Sequence, residues 1–196
     1  MPKCIQCGSY TKFEKGLCYD CYQVKDDKNE PAGGMNDKEY NYRFNMIKGR
    51  IAETLIQELF LSLGYNVFRY GMENTIPAIM TLLKGVKTEV ANEIKSMPDF
   101  VVQNPRNNEV YFVEVKFRAS GTLTRNDIPK DYVWGNAYFI LVSKKHIKCI
   151  TFEELEKGGE ITATSKNYLG NRKEFDLDKN TIIDFCDFAL TFFESV

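Results

Sequence analysis

The 196-residue sequence predicts an α/β domain preceded by a small cysteine-bearing segment. Three observations carry that expectation. A helical stripe runs from about residue 36 to 63, short apolar strands recur between residues 65 and 151, and four of the six cysteines fall within the first 21 residues.

Taken in order, Asn36 with Glu39 three residues later has the form of a capping box, and Gly64 closes the helix. Ile47, Ile51, Leu55, Leu59 and Leu63 recur at i+4, and Ala52, Ile56 and Phe60 widen the apolar stripe that should face the core. Residues 65–70 read as a first strand, and residues 76–96 as mostly helical. Residues 100–103 and 110–117 read as a hairpin, because 104–108 is rich in turn formers. Residues 118–135 are polar and irregular, with a short helix expected over about 125–133. Residues 137–142 are nearly all apolar, as in a strand covered on both faces. A further strand is expected over 147–151, a short helix over 152–156, and a closing helix over 181–195 whose Phe188, Phe192 and Phe193 should be core.

Composition is that of a folded protein, 43% hydrophobic and 27% charged. No apolar run approaches the ~18 residues of a membrane span, and the first residues carry no apolar signal stretch, so a cytoplasmic protein without membrane contact is expected. The net charge of −1 gives no global attraction to nucleic acid, so any such role rests on local clusters. Candidates are Arg43, Lys48 and Arg50; Lys116, Arg118 and Arg125; and Lys144, Lys145 and Lys148. For any one of them a solvated face is the favoured reading.

Cys4 and Cys7, then Cys18 and Cys21, form two CxxC pairs ten residues apart. In each pair the sulfurs converge on one ion, and together they supply four thiolates in a closed tetrahedral site. With no position left for water the metal is structural, zinc being favoured over iron. A segment this short cannot bury enough apolar surface to fold alone, and metal binding supplies the missing stability. Gly8 follows the first pair, where backbone amides turn toward sulfur. Tyr10, Phe13, Tyr19 and Tyr22 either form the segment's own small core or face a partner; the core reading is favoured. The division expected is a zinc ribbon over 1–24, a polar linker over 25–36, and the main domain over 37–196.

The main domain's chemistry concentrates on Asp99, Glu114 and Lys116. Alternation along a strand sends Glu114 and Lys116 to one face and Val113, Val115 and Phe117 to the other. Asp99 heads the preceding strand and, in a hairpin, lies opposite Glu114. Two converging carboxylates repel and raise each other's pKa unless a cation joins them, which a magnesium ion with oxygen ligands does.

Pro98 and Asp99, followed by Glu114, Val115 and Lys116, resemble the PD-(D/E)XK motif of restriction-endonuclease-like nucleases. The resemblance spans residues 38–142 and extends to the archaeal Holliday junction resolvases in that superfamily. It implies a restriction-endonuclease-like core, a mixed central sheet flanked by helices, behind the zinc ribbon. It implies Asp99 and Glu114 as ligands of a catalytic Mg²⁺ (or Mn²⁺), with Lys116 orienting water or stabilising charge. An acid from the first core helix often joins such sites, and Glu53, one turn after Gly49, fits. The activity implied is Mg²⁺-dependent hydrolysis of DNA phosphodiesters, of a structure-specific, restriction or repair type. Arg50, Arg118, Lys144, Lys145 and the loop to Lys148 would contact phosphates, and such enzymes frequently act as homodimers. The other reading is a non-catalytic adaptor that binds nucleic acid or protein through the same fold and the ribbon. His146 reads as a surface histidine and Trp134 as core or hinge. The insert at residues 71–97 has no legible role.

Overall fold

A computed structural model describes residues 3–11, 16–19, 21, 35–72 and 76–194. The expected linker lies largely outside these residues, as do Phe13 and Tyr22. Contacts divide the chain into two compact units, Met1–Phe44 and Asn45–Val196.

The long helix α1 (Asp37–Ser62) starts where its cap says, with Asn36 Oδ1 accepting the Glu39 N–H at 2.9 Å. It stops before Gly64, whose φ of +81° no β-carbon favours. Then come β1 (Asn66–Arg69), two short helices α2 (Pro77–Leu82) and α3 (Glu89–Lys95), β2 (Phe100–Gln103), β3 (Val110–Phe117), β4 (Ala137–Val142) and β5 (Ile147–Thr151). Helices α4 (Phe152–Glu156) and α5 (Lys179–Glu194) follow. The span expected to be mostly helical over 76–96 is thus two helices, interrupted near Gly85 at φ +80° and restarted by Thr88, whose hydroxyl accepts the Ala91 N–H.

The five strands form one mixed sheet in chain order. β1, β2 and β3 are antiparallel neighbours, β3 and β4 are parallel, and β4 and β5 antiparallel. One face packs Val113, Val115, Ile140 and Val142 against Ile56, Leu59 and Phe60 of α1 and Ala189 and Phe193 of α5. The other carries Phe139, Leu141 and Ile150 under Leu123, Ile128, Tyr132 and Leu155. β4 is therefore covered on both faces, as its unbroken apolar run requires, each such side chain contributing about 1.5–3 kcal/mol.

The crossover from β3 to β4 corrects one expectation. In place of a helix over 125–133 there is a single 3₁₀ turn, Arg125–Asp127. Pro129 has no N–H to continue it and biases Ile128 to extended backbone, observed at φ −107°, ψ 140°. Two apolar expectations also fail. Ile47 of α1 and Phe188 and Phe192 of α5 are 54%, 50% and 55% exposed, because they lie outside the helix stripes, Ala52–Phe60 and Ala189–Phe193, that pack into the core. Phe193 is core, as expected. No helix among the described residues is long and apolar enough to cross a membrane.

In the first unit, the Cys4 N–H donates to Ser9 O and the Gly8 N–H to Cys4 O, with Gly8 at φ +76°, a tight turn around the first pair. Tyr10 and Tyr19 are exposed, and among the described residues of this unit the buried ones are Cys4, Thr11, Leu17 and Cys18; the aromatic core expected also involves Phe13 and Tyr22, outside the described residues. So short a segment packs around its own sulfurs.

Candidate active site

Asp99 sits one residue before β2, buried, and its Oδ2 accepts the Val115 N–H at 2.7 Å. The register places Phe100 opposite Val113, so Asp99 and Glu114 come side by side at the end of the hairpin. Glu114 and Lys116 share a face of β3, and Lys116 Nζ donates to Glu114 Oε1 at 2.5 Å. Helix α1 brings Glu53 and Gly49 to the same place. Together Glu53, Asp99, Glu114 and Lys116 line one cavity of about 300 Å³. Gly49 leaves open space where a β-carbon would stand.

Burial first, then the carboxylates of Glu114 and Glu53, push the Asp99 carboxyl well above its usual range, against the opposing pull of Lys116 and the Val115 N–H. Burial alone would depress the Lys116 ammonium, but Glu114 and Asp99 outweigh it and hold the pKa above its usual value, so the side chain stays charged at neutral pH. Acids crowded in a buried corner suit a divalent cation. Asp99 keeps Oδ1 for a ligand while Oδ2 is occupied, and the hard oxygen donors match Mg²⁺ or Mn²⁺.

The structure adds walls the sequence did not reveal. Met72, Met80, Ile94 and Met97, from the insert and its two short helices, close one side of the cavity. Their lack of periodicity hides this in the sequence. On the sheet face beside Glu114, Trp134 packs edge-on against Phe112 and Tyr132 against Phe139, the residue paired with Glu114. Trp134 is thus a packing residue. Tyr132 Oη and Trp134 Nε1 are buried without a partner among the described residues.

The basic residues do not converge on this cavity. Arg118 lies one residue past the end of β3 and pairs with Asp127 at 3.4 Å. Lys144 and Lys145 line a separate polar cavity of about 440 Å³ with Ser120 and His146 at the β4–β5 turn. Lys148 is 3% exposed and donates to Thr162 O and Ala163 O, so it is not a surface phosphate contact as expected; its position on β5 opposite Leu141 turns it inward. Arg50 lines a different cavity from Glu53, beside Ile47 and Ile51.

No family model and no curated protein matches this chain. Among solved structures it is similar to a Holliday junction resolvase from Archaeoglobus fulgidus, an archaeal hyperthermophile, at 22% identity and a TM-score of 0.37. The similarity covers 61% of this chain and 88% of that one. Any function is therefore read from this chain's own residues.

In the first unit the sulfurs of Cys4, Cys7, Cys18 and Cys21 all lie within 4.8 Å of one another, Cys7 and Cys18 at 3.5 Å. Tetrahedral zinc with bonds of about 2.3 Å sets its sulfurs about 3.8 Å apart, so the four fit a zinc ion. The Cys4 thiol, despite burial, is lowered to about 6 by backbone hydrogen bonds, while hydrogen bonding with Cys7 and Cys18 and burial push Cys21 up to about 12. Four sulfurs cannot all be thiolates without a cation among them.

Proposed function

We propose that the chain is a divalent-metal-dependent nuclease that hydrolyses DNA phosphodiester bonds. The observation that carries this reading is the convergence of Glu53, Asp99, Glu114 and Lys116 in one cavity. The substrate class rests on the resemblance of residues 98–116 to the PD-(D/E)XK motif.

Asp99 and Glu114, with Glu53 beside them, would hold the cation, which supplies Lewis-acid charge to the phosphoryl oxygens and acidifies a water. Lys116, kept cationic by the two acids, orients the attacking water and stabilises the negative charge that builds on the phosphoryl oxygens. Attack is in line: the water oxygen bonds to phosphorus as the bond to the leaving oxygen breaks. The Val115 N–H holds Asp99 still throughout, so little reorganisation accompanies the charge shift. Arg118, one residue past the end of β3, and Lys144 and Lys145 at the β4–β5 turn would contact phosphates away from the scissile one. The ribbon, with Tyr10 and Tyr19 exposed, adds a contact surface.

The test is a panel of duplex, nicked, branched and single-stranded DNA incubated with Mg²⁺, Mn²⁺ or EDTA. Glu114→Ala and Lys116→Ala proteins run alongside. Metal-dependent cutting lost in both variants supports the reading. Variants that cut as well as the natural sequence sink it, and metal-independent binding without cutting favours an adaptor.

A further inference from the structure

We propose that Lys95, from the insert whose role the sequence leaves unread, is a substrate-contacting residue: its ammonium holds the nonbridging oxygens of the DNA phosphate that enters the cavity of Glu53, Asp99 and Glu114. This deepens the nuclease reading and rests on it. Lys95 is the last residue of α3 and lines that cavity together with Ile94 and Met97. Helix periodicity accounts for its place. Lys95 stands one turn after Ala91, which is 2% exposed, whereas Val90 on the outer side is 63% exposed. Only Ser96, Met97 and Pro98 separate Lys95 from Asp99, so the insert delivers a cation to the edge of the acidic cluster.

Charge identifies the ligand. Lys116 is paired with Glu114 Oε1 at 2.5 Å, so its charge is engaged by the acids. The Lys95 ammonium donates instead to Val86 O at 2.5 Å, and among the described residues no carboxylate pairs with it. That backbone bond steadies the side chain, while an ammonium has two further N–H groups for a ligand. With one divalent cation bound, the three carboxylates and Lys116 leave the cavity neutral, which offers a phosphodiester no net attraction. Lys95 supplies the single positive charge that matches the loaded cavity to a monoanionic phosphate. A lysine serving only to tie the turn at Val86 has no reason to line the acidic cavity.

Fluorescence anisotropy of labelled duplex and branched DNA, with Ca²⁺ in place of Mg²⁺ and over a series of salt concentrations, tests this apart from cleavage. The full chain is compared with Lys95→Met, which keeps the length and loses the charge, and with Lys95→Arg. Lys95→Met should weaken binding at least about tenfold. It should also lower the slope of log Kd against log salt by about one. Lys95→Arg should keep both near their natural values. In Mg²⁺, steady-state cleavage by Lys95→Met should show the loss in KM more than in kcat. A lysine that only ties Val86 would move the melting temperature and leave the salt slope alone. An unchanged salt slope and KM in Lys95→Met overturn the proposal, as does a Lys95→Arg protein as defective as Lys95→Met. A natural sequence that cuts no DNA sinks the nuclease reading and this proposal with it; one that cuts, with Lys95→Met its equal, sinks this proposal alone.

Discussion

The Val115 backbone N–H and the Asp99 carboxylate are joined at 2.7 Å, which ties the head of β2 to the strand that carries Glu114 and Lys116. The bond fixes a buried acid beside another acid, an arrangement that opposes stability in the absence of a cation. Asp99→Asn keeps an oxygen to accept the Val115 N–H and removes the charge. The metal-free variant should therefore melt higher by about 2–4 °C, roughly 1 kcal/mol for a domain of this size. It should also lose the rise in melting temperature that Mn²⁺ gives the natural sequence. The sign with pH follows: the folded state holds the Asp99 proton more tightly than the unfolded one. Metal-free stability from this group thus falls as pH climbs from 3.8 toward the raised value, and Asp99→Asn should lack that slope. Calorimetry in EDTA across pH checks both, and a variant that melts lower than the natural sequence contradicts the electrostatic account.

Lys116 separates holding a metal from using it. Lys116→Met removes the ammonium that faces Glu114 Oε1 and keeps the length of the side chain. Cleavage should fall about 100- to 1000-fold, the usual loss when one preorganised charge is removed from a reacting phosphoryl or acyl group. The Mn²⁺-induced melting shift should persist, because the acids remain. Single-turnover cleavage beside a thermal-shift titration decides it; a lost shift would make Lys116 structural.

Much of the site was legible because strand alternation is a rigid rule. Glu114 and Lys116 on one face and Val113 and Val115 on the other follow from period two alone, and β3 and β5 have the bounds the residues indicate. Glu53 was legible because Gly49 and the flanking Ile56 and Phe60 fix its side of α1. What failed was whatever depends on which helix face meets the sheet. Ile47, Phe188 and Phe192 have core spacing, and nothing local says that they lie outside the stripes that pack. Lys148 reads as a surface cation in a basic turn; only its pairing with Leu141 shows that it points inward. Met80 and Met97 of the cavity wall come from an insert whose path no periodicity encodes.

The four cysteine sulfurs of the first unit could hold one metal ion per chain, and zinc fits their spacing. Elemental analysis of the purified protein should give one zinc, and Cys18→Ser should abolish it. The second unit has its own core on both faces of the sheet, so its melting transition should stay within a few degrees in the variant. A large fall in that transition would show that the two units fold as one.

Arg172 and Glu154 form the other electrostatic knot. Arg172 donates to both Glu154 oxygens, at 2.9 Å to Oε1, and to Cys149 O at 3.0 Å, while Glu154 also accepts the Thr151 N–H at 2.8 Å in the capping box of α4. The Arg172 hydrogen bonds, more than the Thr151 N–H, hold the Glu154 carboxyl below its usual range, with burial opposing. A depressed acid stabilises the fold above its unfolded pKa and loses that contribution as pH falls through the folded one. Glu154→Gln should therefore cost about 1 kcal/mol at neutral pH, a value kept low because the carboxylate is partly exposed. The gap between variant and natural sequence should close as pH drops from 4.5 downward. Urea melts at neutral and acid pH measure the gap directly, and a difference unchanged by acid would assign it to the neutral capping bond and not to the ion pair.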